Sequence, residues 1–377
     1  MAKKRYRQPK KIKMHSITQR LLVAGLILFC VLAVGFSLHM VLTSLGKSGL
    51  SRHAQSVAKE EYADGLNDEE IEVVLDSSTT DTSVETVKEL QEGQIIVDGE
   101  IYQYNEDILT FLCMGVDSRN GITREKTPGK GGQADAILLL VANPHTETIQ
   151  VIAVNRDSMV DIELYDTDGG YAGTETKQLA LQYAYGDGRV KSCQLMEQTI
   201  SRLFYGIPIH GYGALDMESI ATLNDAVGGV TVTILEDMLW ADPSWTKGTQ
   251  IKLIGAEALK YIRERNYTST ELGTNINRIE RQKQYLTLYI QQLKQKIKED
   301  FTFPLSLYSS VEKHMITSLS VDEITYLASN LMGYEFSIEN IINLSGMSSI
   351  GEKNEEFYLD EKALKEVVID VFYEKCE

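Results

Sequence analysis

The sequence is poor in cysteine and histidine, and neither residue is spaced as metal sites usually are. Four cysteines and six histidines occur among the 377 residues. No two cysteines have the short separation typical of zinc sites, and the histidines are scattered along the chain. We therefore predict no zinc site and interpret the cysteines as small buried apolar side chains.

Well-known catalytic signatures are absent as well. The chain contains no GxxxxGK(S/T) loop, so it is not a P-loop nucleotidase. It contains neither the HExxH motif of zinc peptidases nor the GxSxG motif of serine hydrolases. No internal repeat is evident. Any function must therefore be inferred from residues that lie far apart in the sequence.

Basic residues are in short supply over most of the chain. The formal net charge is −17. Residues 1–20 hold eight Lys and Arg and no acid, so the remainder carries a net −25. A protein that binds nucleic acid needs a basic excess to neutralise phosphates. We therefore predict no nucleic-acid partner, and only local basic patches remain as anion sites.

One run of the sequence has no charged residue. Residues 21–45 contain no Asp, Glu, Lys or Arg and are almost wholly apolar. Because about 20 helical residues cross a bilayer core of ~30 Å, this run predicts a single transmembrane helix. The basic tail, residues 1–20, then lies in the cytoplasm, and the C-terminal domain is extracellular at the cell membrane. An uncleaved signal-like segment is the alternative, and it gives the same topology.

The rest of the chain predicts a stalk and one layered domain. Residues 46–106 are polar and acidic, which indicates a flexible stalk, apart from a hairpin that turns at Asp98-Gly99. Strand-like and helix-like segments alternate after it, which predicts an α/β fold: a layered α-β-α domain with a central mixed sheet. Residues 107–300 form the predicted core, and 301–377 form a C-terminal extension of the same domain.

Polar side chains stand at the ends of three predicted strands. Asp117 follows the first strand, Asp135 opens the second, and Arg156 and Asp157 end the third. Because α/β enzymes place ligands at strand ends, we expect these side chains to converge. Paired carboxylates such as Asp117 and Asp135 favour a hard cation such as Mg²⁺, which keeps part of its water shell. Capping of local turns is the alternative role for each aspartate.

Arginine is concentrated in one later stretch. Four arginines fall within nineteen residues, and Gln282 follows the last of them. They are Arg263, Arg265, Arg278 and Arg281. Two cations about 6 Å apart repel by roughly 3 kcal/mol at an effective dielectric near 20, so such a cluster favours a bound anion. The planar guanidinium suits phosphate oxygens, whereas a solvated helix start with local carboxylate partners is the alternative.

A helix is predicted to begin inside this stretch. From Arg278 onward the apolar residues keep helical spacing. Asn277 is expected to cap the helix, and Glu280, three residues later, completes a capping box. The arginines near the start of this helix then lie beside its buried stripe.

Eight short motifs follow one another along the chain. They are GVDSR at 115–119, QAD at 133–135, NRD at 155–157, AYGDG at 184–188, GIPIHGY at 206–212, NDAVGGV at 224–230, YIRER at 261–265 and NRIERQ at 277–282. In this order they resemble the motifs of the LytR–CpsA–Psr family of envelope phosphotransferases. Each motif is short, but eight of them in one order make a specific signal. The basic tail, single span and stalk are also similar to the architecture of that family.

The resemblance implies a reaction and its substrates. In that family the domain encloses a polyprenyl-phosphate groove and transfers a glycopolymer from a lipid-pyrophosphate carrier to a peptidoglycan hydroxyl. The lipid phosphate is released. Such a transfer depends mainly on stabilising charge, and Mg²⁺ bound by Asp117 and Asp135 would bridge phosphate oxygens.

The resemblance also implies roles for the remaining candidates. The pyrophosphate is expected to be clamped by arginines, with Arg119 and Gln282 as further substrate contacts. Asp157 either orients Arg156 or acts as the base for the incoming hydroxyl. The expected clamp consists of Arg156, Arg263, Arg265, Arg278 and Arg281.

Some positions differ from the usual family motifs and leave a second function open. Asn155 stands where the family commonly has proline, and Gln133-Ala134 stands where an arginine is common. Asn275 and Asn277 occupy places that usually hold Asp and Gly. The alternative function is a non-catalytic module that binds lipid-linked wall precursors. A transcription regulator is disfavoured, because the predicted topology and the acidic charge both oppose it.

Overall fold

The computed structural model describes residues 43–57, 66, 90–118, 121–125, 127–264, 274–351 and 355–376, with the side chains of 274–276 excepted. The predicted cytoplasmic tail and most of the predicted span, 21–45, lie outside the described residues. Within these ranges, no helix is both long and apolar enough to cross a membrane.

Strands and helices follow one another along the described chain. The strands are β1 (Gln94–Val97), β2 (Glu100–Tyr104), β3 (Leu109–Val116), β4 (Ala134–Asn143), β5 (Thr148–Val154), β6 (Met159–Tyr165), β7 (Tyr171–Gln178), β8 (Gly211–Asp216), β9 (Thr231–Thr233), β10 (Gln250–Lys252), β11 (Met315–Thr317), β12 (Ile341–Asn343), β13 (Gly346–Ile350), β14 (Glu355–Leu359) and β15 (Tyr373–Lys375). The helices are α1 (residues 43–57), α2 (Ala180–Ala184), α3 (Val190–Leu203), α4 (Ser219–Ala226), α5 (Ala256–Arg263), α6 (Thr274–Glu299), α7 (Phe303–Val311), α8 (Val321–Asn330) and α9 (Glu361–Phe372).

A mixed six-stranded sheet lies at the centre, in the order β11-β8-β3-β4-β5-β12. Strand β3 is parallel to β8 and antiparallel to β4, and β5 is antiparallel to β4 and parallel to β12. Strands β4 and β5 are rich in Val, Ile and Leu, which favours extended backbone. The predicted α/β fold with a central mixed sheet is confirmed.

The main core covers one face of this sheet. Leu112, Leu139 and Ile152 project from β3, β4 and β5 on that face and are fully buried. Helix α3 packs against these three residues because its apolar side chains, including that of Met196, recur every three or four positions and so lie on one face of the helix. Helix α9 adds Phe372 to the same core.

A second apolar cluster joins the short sheet of β9 and β10 to helices α5 and α6. Trp245, Tyr261 and Tyr285 are buried in it. The rings of Trp245 and Tyr261 meet edge to face, with centroids 5.8 Å apart. This cluster fixes the relative position of α5 and α6, the two helices that carry the predicted arginine stretch.

Strands from residues 301–377 lie in the same sheets as strands from earlier in the chain. Strand β11 pairs with β8 and β12 pairs with β5 in the central sheet, while β15 pairs with β2. The C-terminal segment therefore shares its backbone hydrogen bonds with the preceding part of the domain.

The segment predicted as a flexible stalk, 46–106, differs from that prediction over its described residues. Residues 43–57 form helix α1, and its Leu50 and Ala54 are buried against the domain. Strands β1 and β2 form the predicted hairpin, with Asp98 and Gly99 at positive φ in its turn. Polar composition misled the prediction, because a few apolar residues on one side of α1 suffice to dock it.

The predicted start of the long helix α6, at Arg278, is wrong by four residues. The helix begins at Thr274, so Asn277 lies inside its first turn and is not the cap. The side-chain amide of Asn277 donates a hydrogen bond to the Glu236 carboxylate instead. A capping pattern in the sequence does not exclude an earlier start, because the same residues are also compatible with helical positions.

Candidate functional site

The strand-end residues meet at one edge of the central sheet. Because β3 runs antiparallel to β4 and β4 antiparallel to β5, the end of β3, the start of β4 and the end of β5 lie together. Val116 pairs with Ala134, and Ile137 pairs with Val154. Asp117, Asp135 and Arg156 are therefore brought to the same edge, as the sequence predicted.

An irregularity in the sheet sets the position of Asp135. Gly115 pairs with Ala136, and the next residue of β3, Val116, pairs with Ala134. Asp135 is thus the extra residue of a β-bulge and faces no partner on β3. Bulges redirect a side chain locally and are frequent beside functional sites.

The guanidinium of Arg156 is held by three neighbouring side chains. Its Nη1 donates to Asp135 Oδ1, and its Nη2 donates to Gln133 Oε1 at 2.6 Å. Its Nε lies 3.5 Å from Asp157 Oδ1. A third of the Arg156 side chain remains accessible, so the group is oriented without being enclosed. The sequence did not predict Gln133 as a partner of Arg156, although it lies within the QAD motif.

Asp157 is restrained on several sides. Its Oδ1 accepts a hydrogen bond from Gln178 Nε2 at 2.9 Å, and its backbone carbonyl accepts from the Phe357 amide at 2.9 Å. Its own amide donates to Asn155 Oδ1 at 3.0 Å, which closes an Asx turn. Asn155 therefore stabilises the turn that contains Arg156 through its side chain, at a place where the family commonly has proline.

Several charges act on Asp135 at once. Burial is the main cause that raises its pKa above the ordinary value. The nearby carboxylates of Asp117 and Asp157 raise this pKa as well, because like charges disfavour ionisation. The guanidinium groups of Arg156 and Arg263 act in the opposite direction. Arg263, at the end of α5, is thereby placed within electrostatic reach of the strand-end residues.

Asp117 and Asp135 have the oxygen donors that Mg²⁺ requires. Asp117 is exposed, and 23% of the Asp135 side chain is accessible. A divalent cation would relieve the mutual repulsion of the carboxylates, and Mg²⁺ commonly uses only one or two carboxylates and keeps waters. One oxygen of Asp135 already accepts from Arg156. The donor set therefore fits the ion through the remaining carboxylate oxygens.

Arg281, predicted as part of the pyrophosphate clamp, faces the interior of the protein. It is fully buried. Its Nη1 donates to the Tyr261 carbonyl and its Nη2 to the Glu264 carbonyl, each at 2.6 Å, while Nε lies 3.4 Å from Glu236 Oε1. Burial lowers the pKa of Arg281, and Glu236 opposes that shift. The guanidinium thus binds the C-terminal turn of α5.

Gln282 acts on the same helix end. Its Nε2 donates to the Ile262 carbonyl at 3.1 Å. The last carbonyls of a helix have no partner within it, so side chains from α6 satisfy them here. Arg281 and Gln282 together hold the turn that carries Arg263, whose side chain is exposed. Half-buried Arg278 lies one turn before Gln282 on α6, and Arg119 and Arg265 lie outside the described residues.

The second face of the central sheet is only partly covered. Register places Cys113, Leu138 and Ala153 on this face, opposite to the main core. These residues are half-buried, and Ala136, beside Asp135, is exposed. Their neighbours on the core face are buried almost completely. An apolar surface therefore extends along the sheet from the strand-end residues.

Comparison with known proteins supports the family suggested by the motifs. The model of the LytR_cpsA_psr family matches residues 71–369. The chain belongs to the LytR–CpsA–Psr family.

Several relatives of this family member are named as transferases. It is 32% identical over 173 residues to the polyisoprenyl-teichoic acid–peptidoglycan teichoic acid transferase TagU of Oceanobacillus iheyensis, a match that covers 45% of this chain and 48% of that protein. It is 29% identical over 237 residues to TagU of Halalkalibacterium halodurans, and this match covers 63% of this chain and 69% of that protein. The chain thus spans between about half and about two thirds of these relatives.

A solved structure has the same fold. The crystal structure of Bacillus subtilis TagV superposes with a TM-score of 0.51 at 19% identity, covering 71% of this chain and 97% of that chain. At this level of identity, the similarity establishes the fold of the LytR–CpsA–Psr domain and not its substrate.

Proposed function

We propose that this LytR–CpsA–Psr protein is a membrane-anchored phosphotransferase. It moves a glycopolymer from a polyprenyl-pyrophosphate carrier to a peptidoglycan acceptor. The observation that carries this proposal is the convergence of Asp117, Asp135, Arg156 and Asp157 at one sheet edge, within electrostatic reach of Arg263. The names of its TagU relatives support the substrate class.

The pyrophosphate is the group that this site would bind. Arg156, after β5, and Arg263, at the end of α5, both supply positive charge near Asp135, and both are accessible. Arginine binds phosphate oxygens through paired donors, and phosphoryl transfer depends mostly on such positioning and charge. Arg278, together with Arg119 and Arg265, completes the proposed clamp. Arg281 and Gln282 act as positioning residues, because they hold the helix end that carries Arg263.

The reaction forms one phosphorus–oxygen bond and breaks another. The acceptor hydroxyl attacks the phosphorus that bears the glycopolymer, and the lipid phosphate leaves with the bridging oxygen. Asp157 orients Arg156 or accepts the proton of the attacking hydroxyl. Mg²⁺, held by Asp117 and Asp135, would neutralise charge on the phosphates.

The lipid chain needs an apolar path, and the partly covered sheet face offers one. Ala136, Leu138 and Ala153 line this face next to Asp135 and Arg156. An apolar chain that leaves the phosphates in this direction would be removed from water at roughly 25 cal/mol per Å² of buried area. The lipid chain and the pyrophosphate would then bind to adjacent parts of one surface.

The location follows from the uncharged run at 21–45. We propose that it anchors the protein in the cell membrane by a single span, with residues 1–20 in the cytoplasm. The described part of helix α1, residues 43–57, overlaps the end of the predicted apolar run and packs directly on the domain. This arrangement would hold the site close to the membrane surface from which a lipid-linked substrate is delivered.

A binding module without turnover is the second candidate, favoured by Gln133 and Asn275 at places where the family has other residues. The two are separated by incubating the full-length protein with a polyprenyl-pyrophosphate-linked sugar, peptidoglycan oligomers and Mg²⁺. Release of lipid phosphate above the Arg156→Ala background supports the enzyme. Saturable lipid binding with no release in any divalent metal supports the module.

A further inference from the structure

A second group of charged side chains lies at the same end of the sheet, two strands away from Asp135. It consists of Asp216, Glu218 and His314. Within the described ranges, it is the one set of three His, Cys, Asp or Glu residues whose ligand atoms all lie within 4.8 Å of each other. The family motifs do not include Glu218 or His314, and the proposed phosphotransfer does not use them.

Three separate elements bring these residues together. Asp216 is the last residue of β8, and Glu218 directly precedes helix α4. His314 ends a short 3-10 turn, Glu312–His314, just before β11. Because Met315 pairs with Leu215 in the antiparallel β11–β8 ladder, His314 comes to lie opposite Asp216. The separation of almost a hundred residues explains why the sequence predicted no metal site involving this histidine.

The carboxylate of Asp216 is oriented before any ion arrives. Its side chain is fully buried. Its Oδ1 accepts a hydrogen bond from the Ser219 amide at 2.8 Å, and its Oδ2 lies 2.7 Å from His314 Nδ1. One oxygen is thus fixed by backbone, while the other faces the imidazole, and a carboxylate oxygen of Glu218 lies within 4.8 Å of the ligand atoms of both residues. About a third of the His314 side chain is accessible, and Glu218 is exposed, so an ion can enter from solvent.

We infer that Asp216, Glu218 and His314 form a binding site for a single Zn²⁺ ion. One imidazole nitrogen and two carboxylate oxygens are ligands that zinc accepts, with water in the fourth position of a tetrahedral site. Mg²⁺ and Ca²⁺ prefer sites made only of oxygen, so the histidine disfavours them. Tetrahedral ligands at about 2.0–2.2 Å from zinc lie roughly 3.3 Å apart, which small side-chain movements would achieve here.

The hydrogen bond between Asp216 and His314 has a simpler explanation, in which the two residues only join neighbouring strand ends. That explanation does not account for the carboxylate of Glu218, which lies with them and makes no cap bond to α4. Two carboxylates close to one another repel, and a cation removes that repulsion. Zinc would therefore join β8, α4 and the segment before β11.

The position of the ion suggests a structural effect near the phosphotransfer site. Val116, which precedes Asp117, pairs directly with Asp216. The loop after β3 also packs on this region, because Gly121 lies against the Lys313 backbone. Zinc at this place would stabilise the edge of the sheet beside the strand that presents Asp117.

The inference is tested on full-length protein treated with a chelator and then dialysed. Zn²⁺ is titrated by calorimetry, and Co²⁺ is used as a probe, since a tetrahedral cobalt site gives strong visible absorption bands. We expect one equivalent of zinc, a tetrahedral cobalt spectrum, and a rise in the melting temperature with zinc concentration. These measurements do not depend on phosphotransferase activity.

Variants decide whether these residues are the ligands. Glu218→Gln changes an exposed residue and should leave folding intact. We expect it to weaken zinc binding by more than about tenfold, because replacing even a residue that only hydrogen-bonds to a metal ligand lowers metal affinity by about that factor. His314→Gln should abolish the cobalt bands. Asp117→Asn and Asp135→Asn serve as controls that keep zinc affinity. The inference is overturned if Glu218→Gln binds zinc like the wild type, or if zinc binding is lost only in the Asp117 and Asp135 variants.

Discussion

Arg156 donates a hydrogen bond to Asp135 across the ends of β5 and β4, and the two residues together define the charged edge of the central sheet. Asp135 occupies a bulge, and Arg156 is oriented further by Gln133 and Asp157. An arginine fixed in this way needs little rearrangement to receive a phosphate group. Preorganised charge of this kind is usually a major source of catalysis in phosphoryl transfer.

Replacing Arg156 tests this relationship directly. Arg156→Lys keeps the positive charge but loses the planar group that reaches Asp135 and Gln133 together. We expect a loss of about 1.5–3 kcal/mol of transition-state stabilisation, which is roughly 10- to 150-fold in kcat/KM for lipid phosphate release. The matched control is Arg202→Lys, on α3, which should retain activity. Equal activity of Arg156→Lys and the wild type would contradict the role assigned to the guanidinium.

Variants of Arg281 and Arg263 should distinguish a residue that supports stability from one that supports activity. Arg281→Ala removes a buried group that binds two carbonyls and lies near Glu236. We expect it to lower the free energy of unfolding by about 3 kcal/mol, as measured by urea denaturation. Arg263→Ala alters an exposed side chain, so stability should change by no more than about 0.5 kcal/mol while turnover falls. An Arg281→Ala protein that is fully stable but inactive would instead place Arg281 in contact with substrate.

Docking of helix α1 should depend on pH. His53 on α1 lies 2.7 Å from Glu197 on α3, and this hydrogen bond is the main cause that raises the pKa of His53 above 6.5. Burial of the ring opposes the shift, and Glu323 supports it. A raised histidine pKa stabilises the docked state fully below about pH 6.5, and the stabilisation is lost as pH rises through the raised value.

Hydrogen exchange of residues 43–57 measures this docking. The amides of α1 should exchange faster relative to the intrinsic rate at pH 9 than at pH 6. Glu197→Gln, which keeps a polar partner but removes the charge, should reduce the difference. A protection pattern that does not change with pH in the wild type would show that the pair contributes nothing to docking.

A bulky side chain on the partly covered sheet face should impair binding of the lipid substrate. Ala136 is exposed on that face, so Ala136→Trp should fold normally and yet obstruct a lipid chain that passes Asp135. We expect KM to rise for a long polyprenyl substrate and to stay nearly unchanged for an analogue with a short chain. Ala172→Trp, on the exposed hairpin strand β7, is the control with the same substitution. A similar effect on both substrates would argue that the lipid lies elsewhere.

Much of the site could be predicted from sequence because it depends on strand ends. Apolar runs fix where β3, β4 and β5 end, so Asp117, Asp135 and Arg156 could be expected to meet. The bulge at Asp135 and the Gln133 partner could not, because register in a sheet is decided by pairing with other strands. Likewise, helical spacing places Arg281 near a buried stripe but does not show that its guanidinium turns inward to the carbonyls of α5.

The docked helix α1 shows a different reason for failure. The polar, acidic composition of 46–106 predicted a stalk, yet Leu50 and Ala54 find a surface on the domain. Gly46 and Gly49 allow close approach, because a Cβ at either position would overlap with Asp322 or Glu323 of α8. Such a fit depends on the shape of the partner surface, which composition does not encode.

The structure of the protein with a polyprenyl-pyrophosphate-linked sugar and Mg²⁺ bound would test the central claim most directly. We predict that phosphate oxygens contact Arg156 and Arg263, and that the lipid runs along the sheet face of Ala136 and Leu138. Phosphates bound away from Arg156, or a lipid chain on another surface, would contradict the account.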